Sequence, residues 1–354
     1  MLKNNALNLI LKVIPPPTDD ELIEQFTAAQ NHALSLGLTN IHALTAYPTE
    51  TTMLDIFEMA RDRGVMKIRA FVSTPIEDWE NGHKAMQARG RGDDLLRLGG
   101  IKGLLDGSLG SGTAWFYDPY SDEPSNTGFP IVKPETFTAW MHDVDQVEMP
   151  LSIHAIGDKA IDTTIAAMRD IAGEDIAARR YCIEHFQHPS PKAIIDLADS
   201  GIIASMQPYH AIDDGRWAEG RIGSERAKTT YAFRSILDAG GLLTFGSDWP
   251  VAPLSPIEGL YAAVTRRTTD GANPDGWIPE QKITAEEAMI AYTSSNAYAM
   301  GEEDIAGTLE NGKRADFVVL SQDPRAVDPI DIQNIDVLRT VIDGKTVFEK
   351  TATP

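Results

Sequence analysis

Residues 151–160 read Leu-Ser-Ile-His-Ala-Ile-Gly-Asp-Lys-Ala, a short apolar run that ends at His154 and leads into a helical pattern. Two later stretches are built in the same way. Tyr181–His185 ends in a histidine, and Leu242–Ser247 is followed directly by Asp248. Strands that stop at a polar side chain and alternate with helices are typical of parallel β/α units. These stretches decide the fold class, which we predict to be α/β.

Seven β-rich runs alternate with amphipathic stretches along the chain. The predicted strands are Thr39–Ala43, Lys67–Val72, Gly100–Leu105, Leu151–His154, Tyr181–His185, Ile202–Met206 and Leu242–Ser247. The predicted helices include Asp20–Leu36, Leu54–Arg63, Pro134–Val147, Lys159–Ala172 and Pro191–Ser200. Spacings of roughly 25–40 residues per unit suit a TIM-like (β/α) barrel, which needs eight strands to close. We find seven candidate strands in this sequence, one fewer than a closed barrel needs.

The last part of the chain has a different pattern. Thr284–Met300 is predicted to be a helix that begins with a capping box formed by Thr284 and Glu287. Two β-rich runs follow, and the second contains Asp343-Gly344, a strong signal for a tight hairpin turn. We therefore predict a barrel over residues 1–305 and a small C-terminal β-module over residues 306–354.

Composition limits the classes of partner and location. The formal net charge is -21, from 52 acidic against 31 basic residues, and such a charge repels nucleic acids and anionic membranes. No segment approaches the ~20 apolar residues of a membrane helix. Cys182 is the single cysteine, which excludes an internal disulfide and fits a reducing compartment. We expect a cytoplasmic protein that acts on a small molecule.

His154, His185 and Asp248 are the candidate metal ligands. A lone histidine at a strand end is more often structural, and Asp248 before Trp249-Pro250 would also suit a helix N-cap. Taken together, two imidazoles and a carboxylate at strand ends favour a divalent metal, with zinc as the first choice. Asp248 is also the candidate catalytic group, because a carboxylate beside an activated water can take its proton and pass it to a leaving amine.

Lys102 lies inside the apolar strand Gly100–Leu105. A lysine there is costly unless it is paired or modified. Carbamylation would convert it into a carboxylate that bridges two cations, which makes Lys102 a fourth candidate metal ligand. The alternative, held at even odds, is a lysine that reaches from the strand to solvent.

Substrate contacts are predicted for side chains in loops on the same face of the barrel. The loop Asp106–Pro130 is long, rich in glycine and aromatic residues, and without helical periodicity, and such loops are usually functional. The predicted substrate-binding residues are His188, His210, Trp115 and Trp249, and simple loop packing is the alternative for the aromatic residues of the long loop. His42 and Cys182 are interpreted as packing residues.

Five motifs together resemble the amidohydrolase superfamily, and specifically its amidohydrolase-3 branch with the N-substituted formamide deformylase-like proteins. They are Asp106-Gly-Ser-Leu-Gly-Ser, His154-Ala-Ile-Gly-Asp-Lys-Ala, Ile183-Glu-His-Phe-Gln, Gly246-Ser-Asp-Trp-Pro-Val and Gly312-Lys-Arg-Ala-Asp-Phe-Val-Val-Leu. The resemblance implies a distorted (β/α)8 metal-dependent hydrolase barrel with a β-sandwich made from both chain ends. It also implies one or two metal ions, with His154, His185 and Asp248 in the positions after strands five, six and eight, and Lys102 as the bridging carbamylated lysine.

Two departures from the family pattern stand out. The H-x-H pair that the family carries after its first strand occurs nowhere in this sequence, and Gly112 stands where relatives commonly have an arginine. We therefore expect that the missing eighth strand is the family's first, together with the N-terminal part of the sandwich, and that the chain is truncated at its N-terminus.

Two functions follow as expectations. The first is a metal-dependent hydrolase of non-peptide carbon–nitrogen bonds, such as amides or formamides, that acts through metal-activated hydroxide. The second is a non-catalytic scaffold with an incomplete metal site, in which open strand edges would permit homodimerisation. An isomerase or decarboxylase on the same framework is a weaker third.

Overall fold

A computed structural model describes residues 15–44 and 51–351. The parts of the predicted domains at residues 1–14, 45–50 and 352–354 lie outside the described residues. Seven parallel strands pair in chain order to form one curled sheet. They are β1 (Asn40–Leu44), β2 (Arg69–Pro75), β3 (Leu96–Leu104), β4 (Leu151–Ala155), β5 (Cys182–His185), β6 (Ile203–Met206) and β7 (Leu242–Phe245).

All seven predicted strands are present, and the α/β barrel prediction is confirmed. Within the described part of the chain, β1 and β7 are the two edges of the sheet and do not pair with each other. The part of the barrel that the structure describes is therefore a curled sheet that does not close.

Thirteen α-helices of the described residues accompany this sheet. They are α1 (Asp19–Ser35), α2 (Met53–Asp62), α3 (Trp79–Arg89), α4 (Pro134–Gln146), α5 (Asp158–Ala172), α6 (Ile176–Arg179), α7 (Pro191–Ser200), α8 (Pro208–Asp214), α9 (Ala218–Ala227), α10 (Phe233–Asp238), α11 (Pro256–Thr265), α12 (Ala285–Tyr292) and α13 (Ser294–Ala299). Among them, α8 lines a cavity at the carboxyl ends of the strands. The largest apolar core lies between the sheet and these helices, with Ile101, Ile153 and Ile183 of successive strands fully buried. In the described residues, no helix is long and apolar enough to cross a membrane.

Strand β3 begins at Leu96, four residues before its predicted start. The sequence pattern did not indicate this earlier start, because Gly99 and Gly100 lie there and glycine is uncommon in strands. A side chain at Gly99 would meet the Phe71 ring at 2.2 Å, and Gly100 has φ +107° with the Pro150 carbonyl oxygen 2.4 Å from where a Cβ would lie. The two glycines therefore allow β2 and the segment before β4 to approach β3 closely.

The predicted helix over Thr284–Met300 is two helices. Its capping box forms as predicted, with the Glu287 N–H donating to Thr284 Oγ1 and the Thr284 N–H donating to the Glu287 carboxylate. The chain leaves helical geometry at Thr293, where φ is -125° and ψ is -87°. This break orients α13 so that the Asn296 amide donates to the Phe245 carbonyl at the end of β7.

The C-terminal β-module is an antiparallel sheet of three strands, β8 (Phe317–Leu320), β9 (Val337–Ile342) and β10 (Lys345–Glu349), in the order β10-β9-β8. The predicted hairpin turn is present at Asp343-Gly344, where both residues have positive φ. Of the first β-rich run after Met300, only the last four residues, Phe317–Leu320, form a strand. The module packs on α1 through a small apolar cluster that includes Leu34 and Ile342, and the domain boundary at residue 305 stays a prediction.

Candidate metal and active site

The three candidate ligands line one large cavity at the carboxyl ends of the strands, where barrel enzymes hold their active sites. His154 lies near the end of β4, His185 ends β5, and Asp248 follows β7 by three residues. The cavity has a volume of about 1420 Å³ and extends between the sheet edges toward β8. The residues that were chosen from separate strand ends therefore face a common space.

His154 has its ring fixed by acceptors from the end of β3. Its Nε2 lies 3.0 Å from the Gly107 carbonyl oxygen and 3.4 Å from Asp106 Oδ1. A carbonyl oxygen only accepts hydrogen bonds, so Nε2 must carry the proton. In the neutral imidazole, Nδ1 of His154 is then the nitrogen with the free lone pair.

His185 carries its proton on the other nitrogen. Its Nδ1 lies 2.7 Å from Gln207 Oε1, and Gln207 Nε2 donates to the Ser205 carbonyl at 3.3 Å, which fixes the orientation of the amide. Nδ1 is therefore the donor and Nε2 has the free lone pair. Burial holds the pKa of His185 well below its usual value, and His154 adds to this effect. His185 is therefore an uncharged imidazole at physiological pH, and its Nε2 lone pair is available to a metal ion.

Asp248 faces His210 across the cavity wall, with 3.5 Å between Asp248 Oδ2 and His210 Nε2. This distance is too long for a good hydrogen bond, and His210 Nε2 is buried with no hydrogen-bond partner among the described residues. Burial raises the pKa of Asp248, although His210 and Lys102 oppose the shift. Burial lowers the pKa of His210, although Asp248 opposes it. Both effects favour the uncharged forms.

Lys102 is only 4% exposed and lines the same cavity, so its side chain does not reach bulk solvent. Burial lowers its pKa, and the nearby Glu184 and Asp248 oppose the shift. No ion pair joins Lys102 to either carboxylate within the described residues at 4.0 Å or less. Its role as a carbamylated ligand stays a prediction.

Two buried carboxylates beside the site were missed by the sequence reasoning. Glu184, next to His185, lines the cavity, and its pKa is raised by burial. The available signal was strand alternation, which places Glu184 on the same face as Cys182; Cys182 also lines the cavity. Asp106 is fully buried and touches His154, and its position just after β3 was the signal for it.

The predicted substrate-binding residues divide into two groups. His210 and Trp249 line the cavity, and Trp249 is 46% exposed at its mouth. His188 is buried between Phe116 and Tyr231, and Trp115 is half-buried under Lys159, and neither lines the cavity. Substrate contact stays a prediction for all four residues. For His210 and Trp249, their position in the cavity lining supports it. His42, which we interpreted as packing, contacts Phe71 and Ser73 and also lines the cavity.

Imidazole nitrogens and a carboxylate are suitable ligands for zinc. The described residues nevertheless do not form a complete metal-binding site. His154 and His185 each have one nitrogen free, both rings are held by hydrogen bonds, and their centroids are 4.6 Å apart. Such outer hydrogen bonds are typical of metal-binding histidines. Across residues 15–44 and 51–351, however, no three His, Cys, Asp or Glu side chains are grouped so that they could hold a metal ion.

Comparison with known proteins agrees with this architecture. The model of the Amidohydrolase family matches residues 1–348. The chain is 34% identical over 358 residues to the Arabidopsis thaliana protein LONG AFTER FAR-RED 3, covering 98% of this chain and 61% of that protein. It is 32% identical over 205 residues to the N-substituted formamide deformylase of Arthrobacter pascens, covering 57% of this chain and 37% of that enzyme.

Among solved structures, an uncharacterised metal-dependent hydrolase from Pyrococcus horikoshii superposes with a TM-score of 0.79 at 26% identity, covering 92% of this chain and 65% of that one. The chain thus spans less than two thirds of the length of these relatives. With a family match over almost its whole length, this chain belongs to the amidohydrolase family, in the amidohydrolase-3 branch.

Proposed function

We propose that this chain is the catalytic part of a metal-dependent hydrolase that cleaves non-peptide carbon–nitrogen bonds, such as those of amides and formamides. The observation that carries the proposal is the pair of fixed, complementary tautomers, in which His154 Nδ1 and His185 Nε2 are left free in the cavity that Asp248 also lines. Similarity to a formamide deformylase supports this substrate class. His154, His185 and Asp248 would hold the metal, for which zinc is the first choice, and Lys102 would hold a second ion if it is carbamylated.

A metal bound there would supply a Lewis acid that polarises the substrate carbonyl and makes water a stronger nucleophile. The chain's own part is proton transfer and orientation. Asp248 accepts the proton of the attacking water as the new carbon–oxygen bond forms. It then delivers this proton to the nitrogen as the carbon–nitrogen bond breaks. The raised pKa of Asp248 suits a group that must both take and return a proton.

Electrostatics of the cavity favour a neutral or cationic substrate. At the ends of β3 to β7, the lining contains one lysine, Lys102, against the carboxyl groups of Glu184, Asp213, Asp214 and Asp248. A substrate carboxylate would lie among several acidic groups with only one lysine to pair with it, which disfavours its binding. We expect neutral formamides to be hydrolysed faster than analogues that carry a carboxylate near the scissile bond.

Zinc binding and turnover together test the proposal. The purified chain, stripped with a chelator and then incubated with zinc sulfate, should retain about one zinc ion per molecule. His185→Asn should retain much less, whereas the control His142→Asn, which changes an exposed histidine on α4, should match wild type. Asp248→Asn should lower the hydrolysis rate of a formamide panel by roughly 10²–10⁴-fold, the usual worth of a general acid–base.

A non-catalytic scaffold is the second candidate function. The absence of a three-ligand group in the described residues and the unpaired edges of β1 and β7 favour it. Edge-to-edge association of two copies would then be expected. Zinc retention equal to that of His185→Asn, with no turnover of any amide, would support the scaffold and reject the hydrolase. A cytoplasmic location is part of either proposal, since a single cysteine fits a reducing compartment.

A further inference from the structure

Asp106 occupies an unusual position behind the candidate site. Its side chain is fully buried two residues after β3 ends. The carboxylate accepts backbone hydrogen bonds from the N–H groups of Trp115 at 2.8 Å, Ile156 at 3.0 Å and Gly157 at 2.9 Å. One donor belongs to the long loop after β3 and two belong to the turn between β4 and α5. A single carboxylate therefore joins both segments that surround His154.

The same carboxylate faces the ring of His154. Asp106 Oδ1 lies 3.4 Å from His154 Nε2, and the carbonyl of the next residue, Gly107, accepts from that nitrogen at 3.0 Å. We propose that Asp106 is a positioning residue that fixes the orientation and the Nε2–H tautomer of His154. It does so through its own charge and by holding the Gly107 carbonyl in place. The role of His154 as a metal ligand rests on the proposed function. The inference that Asp106 fixes the imidazole ring does not.

The role requires a carboxylate rather than an amide. The two oxygens of Asp106 accept from three backbone N–H groups and face a fourth donor on His154. Asparagine would replace one acceptor with an NH₂ group that points at N–H donors. A buried, unpaired donor is costly, so the surrounding backbone or the His154 ring would have to move.

Close packing leaves little room for such a movement. A Cβ on Gly157 would lie 2.1 Å from the Trp115 carbonyl oxygen, so the loop backbone rests directly on the β4–α5 turn. The Ala160 N–H donates to this same carbonyl at 3.3 Å. Because both backbones are in contact around Asp106, we expect the imidazole ring to be the part that gives way when the carboxylate is lost.

The test observes the ring nitrogens of His154 directly, in metal-free protein labelled with ¹⁵N-histidine. Long-range ¹H–¹⁵N spectra report which nitrogen carries the proton, and the signals lost in His154→Asn assign the residue. We expect Nε2–H in the wild type and a mixture of tautomers in Asp106→Asn. His185, which depends on Gln207, should be unchanged in Asp106→Asn.

Asp145→Asn is the matched control. Asp145 is also a buried carboxylate, held by the Tyr181 hydroxyl and Arg179, but it does not contact His154. Its replacement should leave the His154 signals as in the wild type. Unchanged His154 signals in Asp106→Asn, or an Nδ1–H tautomer in the wild type, would overturn the proposal.

A second measurement on the wild type covers the case in which Asp106→Asn does not fold. The Hε2 proton of His154 should exchange slowly with water and show cross-relaxation to the amide proton of Ile156, which donates to the same Asp106 oxygen. A fast-exchanging Hε2 would refute the proposal. Neither readout requires zinc or turnover, so failure of the hydrolase proposal leaves this inference separately testable.

Discussion

Replacing Asp316 by alanine should lower the free energy of unfolding by about 3 kcal/mol, because it leaves a buried guanidinium without its partner. Arg69 of β2 and Asp316, just before β8, form a two-pronged ion pair, with Nε–Oδ2 at 2.6 Å and Nη2–Oδ1 at 3.2 Å. Their side chains are only 6% and 10% exposed. Asp316 Oδ1 also accepts from the Asp343 N–H at 2.7 Å in the hairpin turn.

The size of the loss follows from what remains around Arg69. Breaking a buried pair costs ~3–5 kcal/mol. Arg69 Nη1 would keep its bond to the Asp94 carbonyl at 2.7 Å, and the exposed Asp343 carboxylate is 3.9 Å from Nη2, so the lower end applies. Asp316→Asn keeps one acceptor and should lose about half as much, roughly 1.5 kcal/mol. The unfolding entropy of ~2.1 cal/mol/K per residue amounts to ~0.7 kcal/mol/K for this chain, so alanine should lower Tm by about 4 °C.

Urea unfolding followed by circular dichroism, with a thermal melt beside it, measures both values. Asp323→Ala is the control, because Asp323 pairs with Arg325 at the surface, where both side chains are largely exposed. Its unfolding free energy should match wild type within error. If Asp316→Ala were as stable as Asp323→Ala, the reasoning that this pair holds the small sheet to the barrel would be refuted.

Three other changes test separate parts of the site. Gln207→Leu removes the acceptor that orients His185 and should weaken zinc binding ~10–100-fold in a chelator competition; unchanged affinity would contradict the tautomer assignment. Burial raises the pKa of Asp214 from 3.8 to about 6, so its contribution is complete below pH 3.8 and is lost as pH rises through 6. Asp214→Asn should therefore remove a decline of roughly 3 kcal/mol in stability between pH 4 and 7, as measured by denaturant unfolding across pH, and an unaltered pH profile would count against it. Gly157→Ala should cost ~1–3 kcal/mol from its clash with the Trp115 carbonyl and should speed proteolysis of the long loop, whereas wild-type stability would show that the loop can yield.

The order of strands could be predicted because each strand is an apolar run between turn signals, and parallel neighbours follow one another along the chain. The bounds were wrong where close contact between elements decides the local structure. Leu96–Gly99 belong to β3 although Gly99 and Gly100 weaken the strand pattern, since their missing side chains are what let Phe71 and Pro150 approach. The break at Thr293 is likewise accompanied by a tertiary hydrogen bond, from Asn296 to Phe245, which no local pattern records.

At the site, the sequence indicated the side chains at strand ends. It did not indicate the residues that hold those side chains in place by hydrogen bonds. His154 and His185 could be selected because strand ends of a parallel sheet converge. Gln207 could not be selected, because it contacts His185 from 22 residues away in sequence. Asp106 could be placed just after β3, but its contacts with residues 48–51 positions away could not be predicted. The short helices α8 and α9 were missed as well, since Gly215 ends α8 after 7 residues and Gly223 has non-helical φ and ψ inside α9.

The packing of α1 against the C-terminal sheet has a consequence for synthesis on the ribosome. Thr340 donates to the Leu34 carbonyl across 306 residues of sequence, and Leu34, Ile68 and Ile342 form one apolar cluster. At ~5–20 residues per second, about 15–60 s pass between the emergence of Leu34 and that of Thr340. During this interval the apolar side of α1 has no permanent cover from β9 and β10. The nascent chain is therefore expected to be most dependent on chaperones until β9 and β10 have emerged.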